Sequence, residues 1–345
     1  MGNTSHGPAR APAAVQGDRP TRRRATLRSL AKINLDLRVL HKNPDGFHEL
    51  RTVFQTISLA DTIEVEYERA KRREVTIEDS AGIADNLIVK AAHALLDEMK
   101  LAARVHFRLE KEIPMGGGLG GGSSNAAAVL LALPALTGRR VPIERLTWIA
   151  YQLGSDVPFF LHGGTQIGVG RGTELYPQMD VHNQPVLLVL PNVQVATGPA
   201  YAGLNRSLTF TGSSSSINSF QSYVRALGSG RSALAASEFS ANDFESVVFK
   251  QYPQLGKIAA RLRSLSGGVR MSGSGSTLFA LFASRADRER AVRGLSKDRA
   301  MKGCRLIEAS LVSRGGYQRL WRRQLAEHLV PFKEDSWPPR SRYER

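Results

Sequence analysis

The sequence predicts an α+β protein of two domains. Three observations carry this. The 345 residues are enough for about two domains, and 42% hydrophobic with 23% charged residues allows an ordinary core. Runs of strand-like alternation and runs of helical periodicity both recur along the chain. The third is Pro114-Met115-Gly116-Gly117-Gly118-Leu119-Gly120-Gly121-Gly122-Ser123-Ser124-Asn125, six glycines in seven positions set between a strand pattern and a helical one.

Composition excludes some classes. No run of about 18 apolar residues occurs, so no transmembrane helix is expected. The single cysteine, Cys304, rules out an internal disulfide framework and suits a reducing, cytoplasmic setting; it reads as core of a strand. The formal charge of +16 resembles a nucleic-acid signal. But residues 1–30 hold six Arg against one Asp, and residues 317–345 hold seven basic against four acidic residues, so half the excess lies in the termini. The body lacks an Arg-rich stripe with interleaved aromatics, and no specific nucleic acid or membrane partner is expected.

Residues 1–25 lack periodicity and read as a disordered basic tail. Leu27 to Leu40 is a strand: Ala31, Ile33, Leu35, Leu37 and Val39 face one way, and Lys32, Asn34, Asp36 and Arg38 the other. Asn43-Pro44-Asp45-Gly46 is a turn. Val53 to Tyr67 reads as strand, and Val75 and Ile77 as another short one. Asp85 is positioned to cap a helix through Met99. Residues 104–109 are a strand, and the helix after the glycines reaches Leu136, with the serines offered as caps. Pro142 starts a helix that Gly154 ends. Asp156 follows, between that helix end and a Pro158-Phe159-Phe160 wedge that would hold it rigidly. Gly163 to Glu174 reads as a hairpin, and Val186–Leu190 as a buried strand opening the second domain. The boundaries expected are 26–183 and 184–316. Residues 207–219 read as a serine-rich mobile loop, and 242–265 as helix. Two strands flank Ser272-Gly273-Ser274-Gly275-Ser276, and a helix from Ala286 and a strand near 304–312 complete the domain. Residues 317–345 read as a helix and a Pro-rich extension.

Glycine backbone approaches an anion closely, and a helix N-terminus presents free N–H groups, so Gly116 to Ser124 reads as a phosphate cradle. A P-loop would need a lysine after Gly122, and Ser123 stands there. The His-Arg-Asp and Asp-Phe-Gly motifs of protein kinases are absent. Gly116, Gly118 and Gly121 fit a dinucleotide fingerprint by letter, but the acidic residue at the required distance, Glu144, falls inside a helix.

The run P-x-G-G-G-L-G-G-G-S-S-N-A-A resembles the phosphate loop of the GHMP small-molecule kinases. Ala31-Lys32-Ile33-Asn34-Leu35 with Asp45-Gly46-Phe47-His48-Glu49-Leu50, then Leu153 to Phe160, then Met271 to Ser276, resemble the motifs of its 4-diphosphocytidyl-2-C-methyl-D-erythritol kinase branch, in order over residues 27–315. The resemblance implies a two-domain GHMP fold, with an N-terminal domain like domain 2 of ribosomal protein S5 and a ferredoxin-like C-terminal domain. It implies ATP-dependent phosphorylation of the substrate's 2-hydroxyl, in the methylerythritol phosphate route to isoprenoids, by a monomer or homodimer. Homoserine- or mevalonate-type kinases are the enzyme alternatives, and an RNA-binding protein the non-enzyme one.

The resemblance also implies roles. Asp156 would take the hydroxyl proton; otherwise it is a helix cap. Lys32 would pair with Asp156 and stabilise charge on the reacting oxygens; otherwise it is a solvated strand lysine. Asn34 would contact substrate. Phe47, where the family commonly has Tyr, and Tyr201 would sandwich a cytosine that His48 reads by its edge, with Thr197, Gly273 and Ser274 alongside. Pro114 and Gly116 to Ser124, Leu119 included, would hold the ATP phosphates, and Asn86 would lie near the nucleotide base. No acidic or His cluster has metal-ligand spacing, so Mg²⁺ is expected to arrive with ATP, near a serine hydroxyl.

Overall fold

A computed structural model describes residues 22–181, 183–204, 214–331 and 336–344. Two sheets organise it. The first half contains β1 (Arg23–Lys42), β2 (His48–Arg69), β3 (Glu74–Asp79), α1 (Leu87–Glu98), β4 (Ala103–Glu110), α2 (Gly121–Thr137), α3 (Ile143–Leu153), α4 (Phe159–His162), β5 (Thr165–Gly170) and β6 (Glu174–Pro177). β1 runs antiparallel along β2. Residues Thr62–Arg69 of β2 pair with β4, and Leu50–Gln55 with β5. β3 joins β4 in parallel, and β6 joins β5.

The long strands explain themselves from the alternation, with bulges in the β1–β2 register that re-aim side chains around Lys32 and Asn34. From Ser29 to Leu40 every residue of β1 is buried. Its apolar residues Ala31, Ile33 and Leu35 pack with Val186, Leu188 and Phe279 of the second sheet, so one core spans both domains. α1 buries Ile88, Ala91, Ala92, Leu95 and Leu96 on one face. Its cap is Asn86, whose side chain accepts from Ile88 N–H, not Asp85, which sits in the left-handed region. α2 is apolar all round and buried accordingly.

The second half contains β7 (Pro185–Leu190), α5 (Thr197–Gly203), α6 (Ser214–Gly228), α7 (Ala233–Ala236), α8 (Glu245–Gln251), α9 (Pro253–Arg263), β8 (Gly268–Met271), β9 (Leu278–Leu281), α10 (Arg285–Leu295), β10 (Arg305–Ser310) and α11 (Arg314–Gln324). The sheet order is β10-β7-β9-β8, antiparallel throughout. That order, with helices between the first and second and between the third and fourth strands, is the split βαβ of ferredoxin-like domains.

Several expectations are corrected. Arg23–Ala25 belong to β1 and not to a tail; residues 1–21 lie outside the described residues. The serine-rich stretch becomes helical at Ser214, where apolar residues at helical spacing begin; residues 207–213 lie outside the described residues. The helix expected over 242–265 is two, because Pro253 forces Tyr252 out of the helical region (φ −128°, ψ 76°). Cys304 precedes β10 and is half-buried. The C-terminal segment is no appendage: Tyr317, Trp321 and Leu325 are buried in the core of the first sheet. Among the described residues no helix is long and apolar enough to cross a membrane.

Candidate active site

The polar face of β1 is almost wholly buried: Lys32 and Asn34 are each 3% exposed. Buried polar groups must be paired, and these are paired with one another. Lys32 Nζ donates to Asn34 Oδ1 at 2.7 Å and lies 3.3 Å from Asp156 Oδ2. Asn34 Nδ2 donates to Thr52 Oγ1 at 2.8 Å, whose hydroxyl donates to Asp36 O at 2.7 Å. The Lys32 ammonium stands 5.3 Å from the Phe54 ring. Lys32 is therefore not a solvated strand lysine. Asp156 sits in the turn between α3 and α4, held by the buried Val157, Phe159 and Phe160 that follow it. It caps no helix: Pro158 occupies that position for α4. Its carboxylate is about one-third exposed, at the edge of open space.

The glycine run begins α2. Gly120, in the left-handed region, is the cap, and no side chain caps the helix. This corrects the expectation that serines would cap it: Ser123 and Ser124 lie inside the first turn. Ser124 is 2% exposed and donates to Leu30 O at 2.7 Å while accepting from Ser29, so its hydroxyl is spent on the core. Ser123 is the serine that reaches solvent. Leu119 likewise faces the core, while its carbonyl accepts from Lys32 N–H at 3.0 Å.

The loop fits a nucleotide phosphate. Among the described residues, the N–H groups of Gly116 to Gly122 donate to no protein acceptor. A Cβ on Gly116 would meet nothing within 4 Å, so that side of the loop is open. Beside Gly117 the buried Thr277 Oγ1 has no hydrogen-bond partner. No group of three or more His, Cys, Asp or Glu stands together among the described residues.

The second domain closes on the loop from above. Ser272 Oγ donates to Gly118 O at 2.9 Å, and Gly273 N–H donates to Asn34 Oδ1 at 3.1 Å. A Cβ on Gly118 would lie 2.2 Å from Ser272 O, so only glycine allows this approach. Asn242 fixes the Ser272 loop by donating to Met271 O (2.7 Å) and Gly273 O (2.8 Å).

Next to Asp156 opens a cleft of about 700 Å³, lined by Lys42, Phe47, His48, Ser155, Arg171 and Tyr201 among others. His48 stacks on Tyr201, ring centroids 4.7 Å apart. Burial, with Lys42 nearby, lowers the His48 pKa, so the ring is neutral at pH 7. Burial and then Asp156 push the Tyr201 phenol up to about 12. Phe47 is 52% exposed, with the Arg171 guanidinium 3.7 Å over its ring. Arg171 thus covers one face of the Phe47 ring, and His48 one face of the Tyr201 ring. Thr197 and Ser274 meet each other, oxygen to oxygen at 3.0 Å. Asn86 uses its oxygen as the α1 cap and donates to Asp79 at 2.9 Å. Leu87, the next residue, comes within 3.6 Å of a Cβ on Gly122, which puts this cap beside the glycine loop. Sequence reasoning missed Lys42 and Arg171. The latter had a signal: Gly170 and Gly172 flank it in the expected hairpin, both with φ near +70° to +80°.

A buried lysine thus meets a partly exposed carboxylate between a glycine cradle and a polar cleft, in a two-domain α+β frame, and the comparisons place this frame among the GHMP small-molecule kinases. Residues 86–164 match the GHMP kinases N terminal domain model, and residues 224–299 the GHMP kinases C terminal model. The chain is 50% identical over 328 residues to the 4-diphosphocytidyl-2-C-methyl-D-erythritol kinase of Solibacter usitatus, covering 94% of this chain and 99% of that one. It is 38% identical over 262 residues to the enzyme of that name from Thermotoga maritima, covering 75% and 92%. A crystal structure of 4-(cytidine 5'-diphospho)-2C-methyl-D-erythritol kinase superposes with a TM-score of 0.67 at 32% identity, over 83% of this chain and 98% of that one. A homoserine kinase structure from Cytophaga hutchinsonii, at 17% identity and TM-score 0.64, shares the fold. The chain belongs to the 4-diphosphocytidyl-2-C-methyl-D-erythritol kinase family of GHMP kinases.

Proposed function

We propose that the protein transfers the γ-phosphoryl group of ATP to the 2-hydroxyl of 4-diphosphocytidyl-2-C-methyl-D-erythritol, giving the 2-phosphate and ADP. The observation that carries this reading is the Lys32–Asp156 pair, 3.3 Å apart, at the junction of the glycine loop and the cleft. Asp156 accepts the hydroxyl proton as the oxygen bonds to the γ-phosphorus and the bond to the β-phosphate oxygen breaks. Lys32, tethered by Asn34, offers its ammonium to the oxygens on which charge develops, with no reorganisation needed. The free N–H groups of Gly116 to Gly122 hold the phosphates. Ser123, the serine that reaches solvent, would stand beside Mg²⁺ brought in with ATP, which would supply charge neutralisation between the phosphates.

The cleft receives the cytidyl end. His48, backed by Tyr201, presents a neutral ring edge to a base, and Phe47 with Arg171 closes the outer side. Thr197 and Ser274, bonded to each other in the second domain, stand next to the cleft-lining Gly198, and the working division of the chain falls between residues 183 and 184. The reaction suits a cytoplasmic enzyme, as monomer or homodimer. The test is ATP turnover against a panel of acceptors. The reading requires turnover with the cytidyl substrate; turnover with homoserine or mevalonate and none with the cytidyl compound would replace it.

A further inference from the structure

The segment after the second sheet returns to the first domain and packs on α4, the single turn that follows Asp156. α4 is a single turn, so the carbonyls at its C-terminal end lack intrahelical partners. Two residues from the C-terminal segment supply them. The Tyr317 hydroxyl donates to Phe160 O, and Trp337 Nε1 donates to Leu161 O at 2.8 Å. Tyr317 is 1% exposed, and its ring lies so close to Gly163 that a Cβ there would fall 2.5 Å from it. Burial pushes the Tyr317 phenol up, so it remains a donor.

What these two bonds hold is in contact with the chemistry on both sides. The Phe160 ring lies 2.9 Å, and the Lys32 stem 3.1 Å, from where a Gly120 Cβ would stand. Phe159 packs on Phe54, centroids 5.1 Å apart, and Phe54 underlies the Lys32 ammonium. Asp156 is three residues before Phe159. The rest of the segment is anchored away from the site: His328 bonds to Arg24 O at 2.7 Å, and Ser341 Oγ donates to Ala135 O at 2.6 Å.

We infer that Tyr317 and Trp337 are positioning residues for phosphoryl transfer: they clamp the Phe160 and Leu161 carbonyls and so set Asp156 against Lys32 and the glycine loop. The inference rests on Asp156 acting as the base. A displacement of about 1 Å in such a pair can cost about 10²-fold in rate. Neither residue touches the cleft, so their loss acts on kcat rather than on binding.

The test is steady-state kinetics of the full chain with Tyr317→Phe, Trp337→Phe and both together, each also in an Asp156→Asn background. Thermal unfolding checks that each variant is folded, and Trp337→Phe, at a half-buried site, is the milder change. The expected result is a kcat lowered about tenfold or more in the double variant. KM for ATP and for the cytidyl substrate should stay within about twofold. In the Asp156→Asn background the same substitutions should add little, because the group they position is gone. An unchanged kcat in folded enzyme would overturn the inference. So would a KM rise matching the kcat loss, or an undiminished loss in the Asp156→Asn background. If Asp156→Asn alone were fully active, the base assignment itself would fail, whatever the clamp variants did.

Discussion

Lys32 Nζ donates to Asn34 Oδ1 at 2.7 Å, closer than its 3.3 Å approach to Asp156. Asn34 Oδ1 also accepts from Gly273 N–H, so one amide oxygen ties the ammonium to the second domain. Asn34→Ala should therefore lower kcat by about tenfold and loosen the Gly273 loop, through loss of orientation rather than of charge. Lys32→Met, which keeps the apolar stem, should lower it by about 10²- to 10³-fold. Comparing kcat for the two variants checks this; equal losses would mean that the amide contributes more than a tether.

Asp156→Asn should leave ATP binding nearly intact and lower turnover by about 10²-fold or more. Nucleotide binding measured by calorimetry, beside kcat, separates the two effects. Near-normal turnover would remove Asp156 as base.

Two glycines in one loop should behave differently. Gly116 and Gly118 share a left-handed conformation, φ +69° and +73°, which costs any other residue about 1–2 kcal/mol. A Cβ on Gly116 points into open space, whereas one on Gly118 meets Ser272 O at 2.2 Å. Gly118→Ala should lower the thermal midpoint further, and Gly116→Ala should act mainly by raising KM for ATP. Thermal scans with ATP titrations check the order.

His48 provides a pH test. Burial lowers its pKa below the ordinary 6.5, so the folded protein binds that proton less readily than the unfolded chain. Its contribution to stability is present above pH 6.5 and is lost as pH falls through the folded value. KM for the cytidyl substrate should be flat from pH 8 to 6.5 and rise on further acidification. A His48→Gln variant should lose that rise; a profile unchanged by the substitution would remove His48 as a base-reading group.

Much of this site was legible because its parts are short and local. Alternation in β1 put Lys32 and Asn34 on one face, and the Pro158-Phe159-Phe160 wedge marked Asp156 as held. What was not legible depends on residues far apart in the chain. That Ser124 is committed to Leu30 O, or that His48 stacks on Tyr201, follows from packing between distant elements. The C-terminal segment misled for the same reason. Its Arg- and Pro-rich composition resembles a tail, yet Tyr317 and Trp321 are among the largest fully buried side chains. Burial of so few aromatics leaves no period to read.

The most direct measurement is phosphorus NMR of the product formed from ATP and 4-diphosphocytidyl-2-C-methyl-D-erythritol. One phosphomonoester resonance should appear on the 2-oxygen per ADP released, and Asp156→Asn should slow its appearance by about 10²-fold or more. ATP hydrolysis without that resonance, or phosphoryl transfer at an undiminished rate in Asp156→Asn, would contradict the account.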